Sequence, residues 1–565
     1  MSAAVSEQAR PGLSRRGLLR TGAAAGMAAA IGAPGAAQAA SGSGPGRPPP
    51  GRPEPPDLAL VNGKIATMDG TGRFASALLI RDGRFAAVAR TVDTRDSRLR
   101  VIDLRGRTVV PGIIDNHNHL VLMGNRPGHH TPLENADSIA AAQATLRARA
   151  ARVPRGAAIT TIGGFHLNQF AERRLPTLAE LDAAVPDHIA YLSQSFSGPS
   201  TTNSAGRAFF AGAALPVTVG PDGSIAAGEQ TGRATLALRQ TLTFEQRKRS
   251  ALDAMTYAAG LGVTTHLDQG AFQASNTPAD GAAHEDNYTM HLPFLALYGE
   301  GTAIVRLRIN FLHQDTDPAV PALTERLRNS FPFFGNDLVR TGGIGEFLAT
   351  GLGPEWLEAS RRVAKAGWRA EVHSLTATDF QTEISGWETV HAEFPIGDLR
   401  WVVAHVPFIT EDYVLRLKAL GGGLSLTGWR YLAGTGPAAG PPFRMILDSG
   451  IHVGMSSDGM QIAPMNPWLH MYYAVTGRNA LGELINDGQQ ITRSEVLRLY
   501  TRDNGWFLRE EDRLGSIEPG KLADLVVLNE DYFTVPVERF KRLRSVLTIV
   551  DGAVVHDTGE LGSRR

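Results

Sequence analysis

The segment Pro111–Leu120 reads PGIIDNHNHL. An apolar pair, Ile113–Ile114, runs into two histidines, His117 and His119, one residue apart. Successive side chains of a strand alternate between faces, so His117 and His119 share one face and Asn118 takes the other. Two imidazoles on one face can share a metal ion. A chance pair among 16 histidines is unremarkable, so the choice between a metal site and a polar strand end rests on the rest of the chain.

Downstream, helical stretches alternate with short apolar runs. TFEQRKRSALDAMTYAAGLG (Thr243–Gly262) and PEWLEASRRVAKAG (Pro354–Gly367) both end in glycine. They lead into VTTHLD and WRAEVHS. Strands that alternate with helices point to βα units around a parallel sheet. Over roughly 390 residues this α/β pattern fits an eight-unit (β/α)8 barrel with insertions. No G-x-G-x-x-G follows a strand and no Walker sequence is present, so nucleotide binding is not indicated.

Active sites of such barrels sit where strands end and loops begin. His373 ends WRAEVHS, and His405 ends the strand of LRWVVAHVP. They lie about one βα unit apart, since eight units in about 250 residues is roughly 30 each. Asp458 ends the apolar run of GIHVGMSSDGM. A lone buried histidine is ordinarily a hydrogen-bonded core residue, and Asp458 before Gly459 also suits a turn. In chain order, however, the strand ends read His-x-His, His, His, Asp. Three or four His and carboxylate ligands with an open position form the catalytic zinc pattern. A metal held this way activates water and polarises a carbonyl. Asp458 is then placed to act as general base.

The flanks differ from the middle. From Asp57 to about Val110, and again from about residue 506, short strands and turns prevail. Asn62–Gly63, Asp82–Gly83 and Asp551–Gly552 are hairpin signals. The two ends are expected to build one small sheet together. Residues 1–39 carry SRRGLLR (Ser14–Arg20), a Gly/Ala-rich apolar stretch and an A-x-A end at Ala37–Ala39. This reads as a signal peptide, and Arg15–Arg16 resembles the twin-arginine signal. Export to the periplasm, the cell surface or the medium is the expectation, without a stable membrane anchor. Residues 40–56 form a Pro/Gly/Ser-rich linker. The expected organisation is then 57–110 and 506–560 as a β-domain around a catalytic domain at 111–505.

Composition narrows the chemistry. With 56 basic and 56 acidic residues the formal charge is zero, so no overall field attracts nucleic acid. The absence of cysteine excludes thiolate ligands and thiol nucleophiles. Any metal is held by histidines and carboxylates.

As a set, these segments resemble the amidohydrolase superfamily, in the amidohydrolase-3 branch that includes N-substituted formamide deformylases. The resemblance also rests on RLPTLAELDAAVPD (Arg174–Asp187), SSDGMQIAPMNPWLHMYYAVTGR (Ser456–Arg478) and LGSIEPGKLADLVVLNEDYF (Leu514–Phe533). It implies a metal-dependent (β/α)8 TIM barrel with insertions beside a small composite β-sandwich from both termini. It implies His117 and His119 at one metal position, His373 and His405 at a second or the same one, and Asp458 as ligand and base. One or two divalent ions, zinc foremost, would be bound. Relatives often dimerise, which leaves a homodimer open.

Three departures stand out. Many relatives carry a bridging carboxylated lysine on the fourth strand, where this chain reads VRTGGIGEFLAT. Lys248 and Lys365 are the only lysines between His119 and His373, both in helix-like stretches. Glu346 is the natural substitute. The segments HSLTATD (His373–Asp379) and SQSFSGPSTTNSAG (Ser193–Gly206) also depart from the family pattern and are candidates to line the pocket. So are Trp429, Arg430 and Tyr431, and Arg430 can pair with a substrate carboxylate.

The expected activity is hydrolysis of a non-peptide C–N bond in a small molecule: an N-acyl, formamide or cyclic amide. A deaminase or an ester or lactone hydrolase shares the metal chemistry. A non-catalytic binding protein on the same scaffold is the reading from a different class.

Overall fold

The structure is a computed structural model that describes residues 56–195, 197–270, 289–434 and 436–564. The expected signal peptide and all but the last residue of the linker lie outside the described residues. Among the described residues, no helix is long and apolar enough to cross a membrane.

The fold is α/β. Its centre holds eight strands: β1 (Ile113–Asn118), β2 (Val263–Asp268), β3 (Arg306–Phe311), β4 (Val339–Ile344), β5 (Glu371–Ser374), β6 (Val402–His405), β7 (Gly423–Thr427) and β8 (His452–Ser456). They form two four-stranded sheets, ordered β4-β3-β2-β1 and β5-β6-β7-β8. Every pairing within them is parallel. The residues of β1, β2, β6 and β7 are all buried, as expected for parallel strands covered on both faces.

The edges of the two sheets meet. Ile344, ending β4, makes a parallel bridge to Ala370, just before β5. On the other side the Asp458 N–H donates to the His117 carbonyl at 2.9 Å. Asn504 fills the remaining gap between β1 and β8, donating to the carbonyls of Ile114 (2.5 Å) and Met455 (2.8 Å).

Helices return the chain between strands. Phe244–Leu261 begins with a capping box of Thr243 and Gln246, and stops at Gly262 in the left-handed region. A side chain at Gly262 would also meet Val526, so glycine is required there twice over. Between β1 and this helix the chain inserts a separate five-stranded sheet. Its order is Ser224–Ile225, Ser200–Thr202, Ile189–Ser193, Ala158–Ile162, His129–His130.

The outer strands correct the expectation of one small sheet, because they form two. A five-stranded sheet holds Leu58–Val61, Ala77–Arg81, Arg84–Ala89, Arg100–Asp103 and Ser563–Arg564. A six-stranded sheet joins Lys64–Ala66, Phe74–Ala75 and Thr108–Pro111 to Leu525–Leu528, Ser545–Val550 and Ala553–Asp557. One apolar core lies against both, with Leu60, Ile80 and Ile102 from one and Val109, Leu525 and Ile549 from the other.

Asp82–Gly83 and Asp551–Gly552 make the expected hairpins. Asn62–Gly63 does not. Leu58–Val61 and Lys64–Ala66 lie in different sheets, so this turn carries the chain across the shared core instead of folding it back. Both segments have their own parallel partners, Arg100–Asp103 and Thr108–Val109, and these outcompete the local pairing. The expected boundary at residues 505/506 falls inside the helix Asn504–Leu508.

Candidate metal centre

The expected ligands arrive from the C-terminal ends of five strands. His117 lies in β1, and His119 sits one residue past it. Asn118 turns to local duty: its Oδ1 accepts from the Leu120 N–H at 3.0 Å. Glu346 follows β4 by two residues. The preceding Gly345 is needed because a Cβ there would lie 2.6 Å from the Glu371 carbonyl. His373 is in β5, His405 ends β6, and Asp458 follows β8 by two residues. His405, Val406 and Asp458 have φ of 71°, 41° and 55°. Positive φ is costly for such residues, and strain of this kind gathers at functional sites.

These side chains meet in one buried place around Glu346. Its Oε2 lies 2.9 Å from His373 Nδ1, 3.4 Å from His117 Nε2 and 3.4 Å from His405 Nε2. Its Oε1 lies 3.3 Å from His119 Nε2. Asp458 Oδ1 stands 3.3 Å from His119 Nε2 and 3.8 Å from His117 Nε2. Two groups have ligand atoms within 4.8 Å of one another: His117, Glu346 and His405, and His117, His119 and Asp458. His117 belongs to both, and His373 to neither.

The far side of each of three rings is tied down. His117 Nδ1 donates to Glu371 Oε1 at 2.6 Å, and Arg369 donates to the other oxygen of that carboxylate at 2.5 Å. His119 Nδ1 donates to the Gly270 carbonyl at 3.1 Å, and His405 Nδ1 lies 3.2 Å from Thr427 Oγ1. A ring that donates from Nδ1 presents the lone pair of Nε2, which is how ligand histidines are oriented. The buried His117 Nε2 has no hydrogen-bond partner of its own.

The electrostatics call for a cation. Burial opposes ionisation of Glu346, yet the His373 charge and the facing imidazoles of His117 and His119 hold it well below the usual carboxylate range. Asp458 is likewise lowered against burial, by the charges of His405, His119 and His117 and a hydrogen bond from His119. Burial disfavours a charged His117, but Glu346 and Glu371 raise it to about 10. His119 is raised well above 6.5 against burial by Asp458 and Glu346. Burial lowers His405 to about 4, aided by the charges of His373 and His117. Protons on His117 and His119 thus balance two buried carboxylates in a place where a divalent ion would do the same.

Glu371 escaped the sequence reading. The signal was present, since it stands two residues before His373 and shares its strand face. No lysine takes part: Lys248 lies on the helix Phe244–Leu261 and pairs with Glu300, and Lys365 ends the helix Pro354–Lys365.

The pocket candidates divide. Tyr431 is only 5% exposed and packs edge-on against Tyr472 in the main apolar core. Trp429 and Arg430 stack on each other past the end of β7. HSLTATD starts a helix: Thr376 and Asp379 form the capping box of Ala377–Glu393. In SQSFSGPSTTNSAG, Phe196 lies outside the described residues, and Asn203 caps the helix Ser204–Ala211. Both segments are therefore held by capping hydrogen bonds.

Comparison with known proteins agrees with this geometry. The amidohydrolase family model matches residues 100–556. An N-substituted formamide deformylase from Arthrobacter pascens is 24% identical, over 89% of this chain and 98% of its own length. Among solved structures, an uncharacterized metal-dependent hydrolase from Pyrococcus horikoshii has a TM-score of 0.58 at 19% identity, covering 85% of this chain and 99% of that one. The atrazine chlorohydrolase TrzN from Arthrobacter aurescens, complexed with zinc, has a TM-score of 0.53 at 17% identity, covering 88% and 95%. At these identities the structural likeness speaks to fold alone. The family match spans most of the chain and every residue of the cluster, and the protein therefore belongs to the amidohydrolase family and is a hydrolytic enzyme.

Proposed function

We propose that this protein is an exported, metal-dependent amidohydrolase that cleaves a non-peptide C–N bond in an N-acyl, formamide or cyclic amide substrate. Water adds at the carbonyl carbon and the C–N bond breaks, giving a carboxylic acid and an amine. The observation that carries the reading is the convergence of four imidazoles and two carboxylates in one buried place, with His117 Nε2 unbonded.

His117, His119, Glu346, His373, His405 and Asp458 are assigned to hold one or two divalent ions, zinc foremost. The donor set fits, being imidazole nitrogen and carboxylate oxygen with no thiolate. A bound ion supplies Lewis-acid polarisation of the carbonyl and a lowered pKa for water. The two oxygens of Glu346 face different members of the cluster, Oε1 toward His119 and Oε2 toward His117 and His405. Glu346 would therefore serve as a carboxylate ligand to whatever ion or ions the site holds. Asp458 takes the proton of the attacking water and returns it to the leaving nitrogen. Its depressed pKa keeps it ionised. Glu371 and Arg369 fix the tautomer of His117.

In this reading the two central sheets close as a (β/α)8 barrel, and the outer sheets form a composite β-sandwich. The Ile344–Ala370 bridge and the Asp458–His117 bond support the closure. Export rests on the twin-arginine pattern at Arg15–Arg16.

The test is turnover by zinc-reconstituted protein of N-formyl amines, N-acyl amines and cyclic amides beside matched esters and amino-heterocycles. Amine release from the amides alone is expected. Turnover confined to the esters or the amino-heterocycles would overturn the C–N amide assignment.

A further inference from the structure

Arg430 is a half-buried cation with an unusual neighbourhood. It stands three residues past Thr427, whose hydroxyl contacts His405. Its guanidinium carbon lies 4.0 Å over the ring of Trp429 and 5.3 Å from that of Phe408. Phe408 is three residues past His405 and 52% exposed. All three residues therefore follow the C-terminal ends of β6 and β7, the end from which the metal ligands emerge.

Three other buried arginines of this protein have carboxylate partners. Arg306 pairs with Asp524 and Asp551, Arg308 with Glu510, and Arg369 with Glu371. Among the described residues no carboxylate lies within ion-pair distance of Arg430, and its buried Nε has no hydrogen-bond partner. A shielded cation without a counter-charge is costly. The turn that carries it is set closely, because a Cβ on Gly428 would lie 2.7 Å from His470 Nδ1.

We propose that Arg430, beside Trp429 and Phe408, is the subsite for a carboxylate of the substrate, so that the enzyme acts on N-acyl or N-formyl amino acids or similarly anionic amides. This rests on the hydrolase reading above. A guanidinium offers a planar pair of donors that matches a carboxylate in two-point contact. Two aromatic rings within cation–π range restrict how its plane can turn. A single guanidinium sets the subsite for a monoanion.

The test uses the zinc-reconstituted full chain and two probes, N-formylphenylalanine and N-formylphenethylamine, which differ by the carboxylate. Binding is read by calorimetry and turnover by amine release. Wild type should bind the anionic probe about tenfold or more tightly than the neutral one, as a charged hydrogen-bonded pair allows. Arg430→Met should abolish that preference and leave the neutral probe within about twofold, while Arg430→Lys keeps part of it. Circular dichroism checks the fold, with Arg430→Gln as the second variant if Met disrupts it. Equal binding of both probes by wild type, or a preference that survives Arg430→Met, overturns the proposal. Discrimination in binding without turnover of either probe would sink the formamide assignment of the proposed function and leave the subsite standing.

Discussion

Glu371 receives two hydrogen bonds in the buried centre: His117 Nδ1 donates to its Oε1 at 2.6 Å, and Arg369 donates to its Oε2 at 2.5 Å. His117 is thereby tied through a carboxylate to a buried guanidinium. Replacing Glu371 by Gln keeps the shape and removes the charge. Zinc affinity, measured by chelator competition, should fall about 10- to 100-fold with little change in the circular dichroism spectrum. Unchanged affinity would show that Glu371 serves the core only.

Asp458 is assigned the proton transfer. Asp458→Asn should fold normally and lose about 10²- to 10⁴-fold in kcat on any amide the wild type turns over. Near-wild-type kcat would refute the role.

His117 and Asn118 are adjacent but have opposite duties. His117→Ala should abolish metal binding and activity. Asn118→Ala removes the bond to the Leu120 N–H. It should cost about 1 kcal/mol of stability and far less activity than His117→Ala. Thermal melts and turnover of the two variants side by side check this.

These contrasts show what the sequence could and could not disclose. The strand ends were readable because strands buried on both faces stay apolar until a ligand interrupts them. Glu346 needed the family resemblance, since a glutamate after VRTGGIG has nothing local to mark it. Glu371 was missed because a buried, paired glutamate has the same letter as a surface one. The inserted sheet went unseen because its strands are two to five residues long and rich in Ser and Thr. Asn62–Gly63 misled because a turn signal reports a local bend, whereas long-range partners decide which sheet each strand joins.

The protonation of the centre gives a signed pH dependence. Without metal, His117 titrates near 10 and His119 is raised well above 6.5, so both rings hold protons at neutral pH. Ligation requires neutral rings, so binding a divalent ion should release about two protons and tighten as pH rises toward 10. Calorimetry in two buffers of different ionisation heat counts them. Binding without proton release, at an affinity indifferent to pH, would show that these rings are not ligands.

The central claim is that His117, His119, Glu346, His373, His405 and Asp458 form a divalent metal centre. Its most direct test is elemental analysis of the purified protein after zinc reconstitution and removal of free ion, beside His117→Ala. The account predicts about one to two equivalents of zinc in the wild type and almost none in the variant. Zinc below about half an equivalent in folded wild type, or equal content in both proteins, would contradict it.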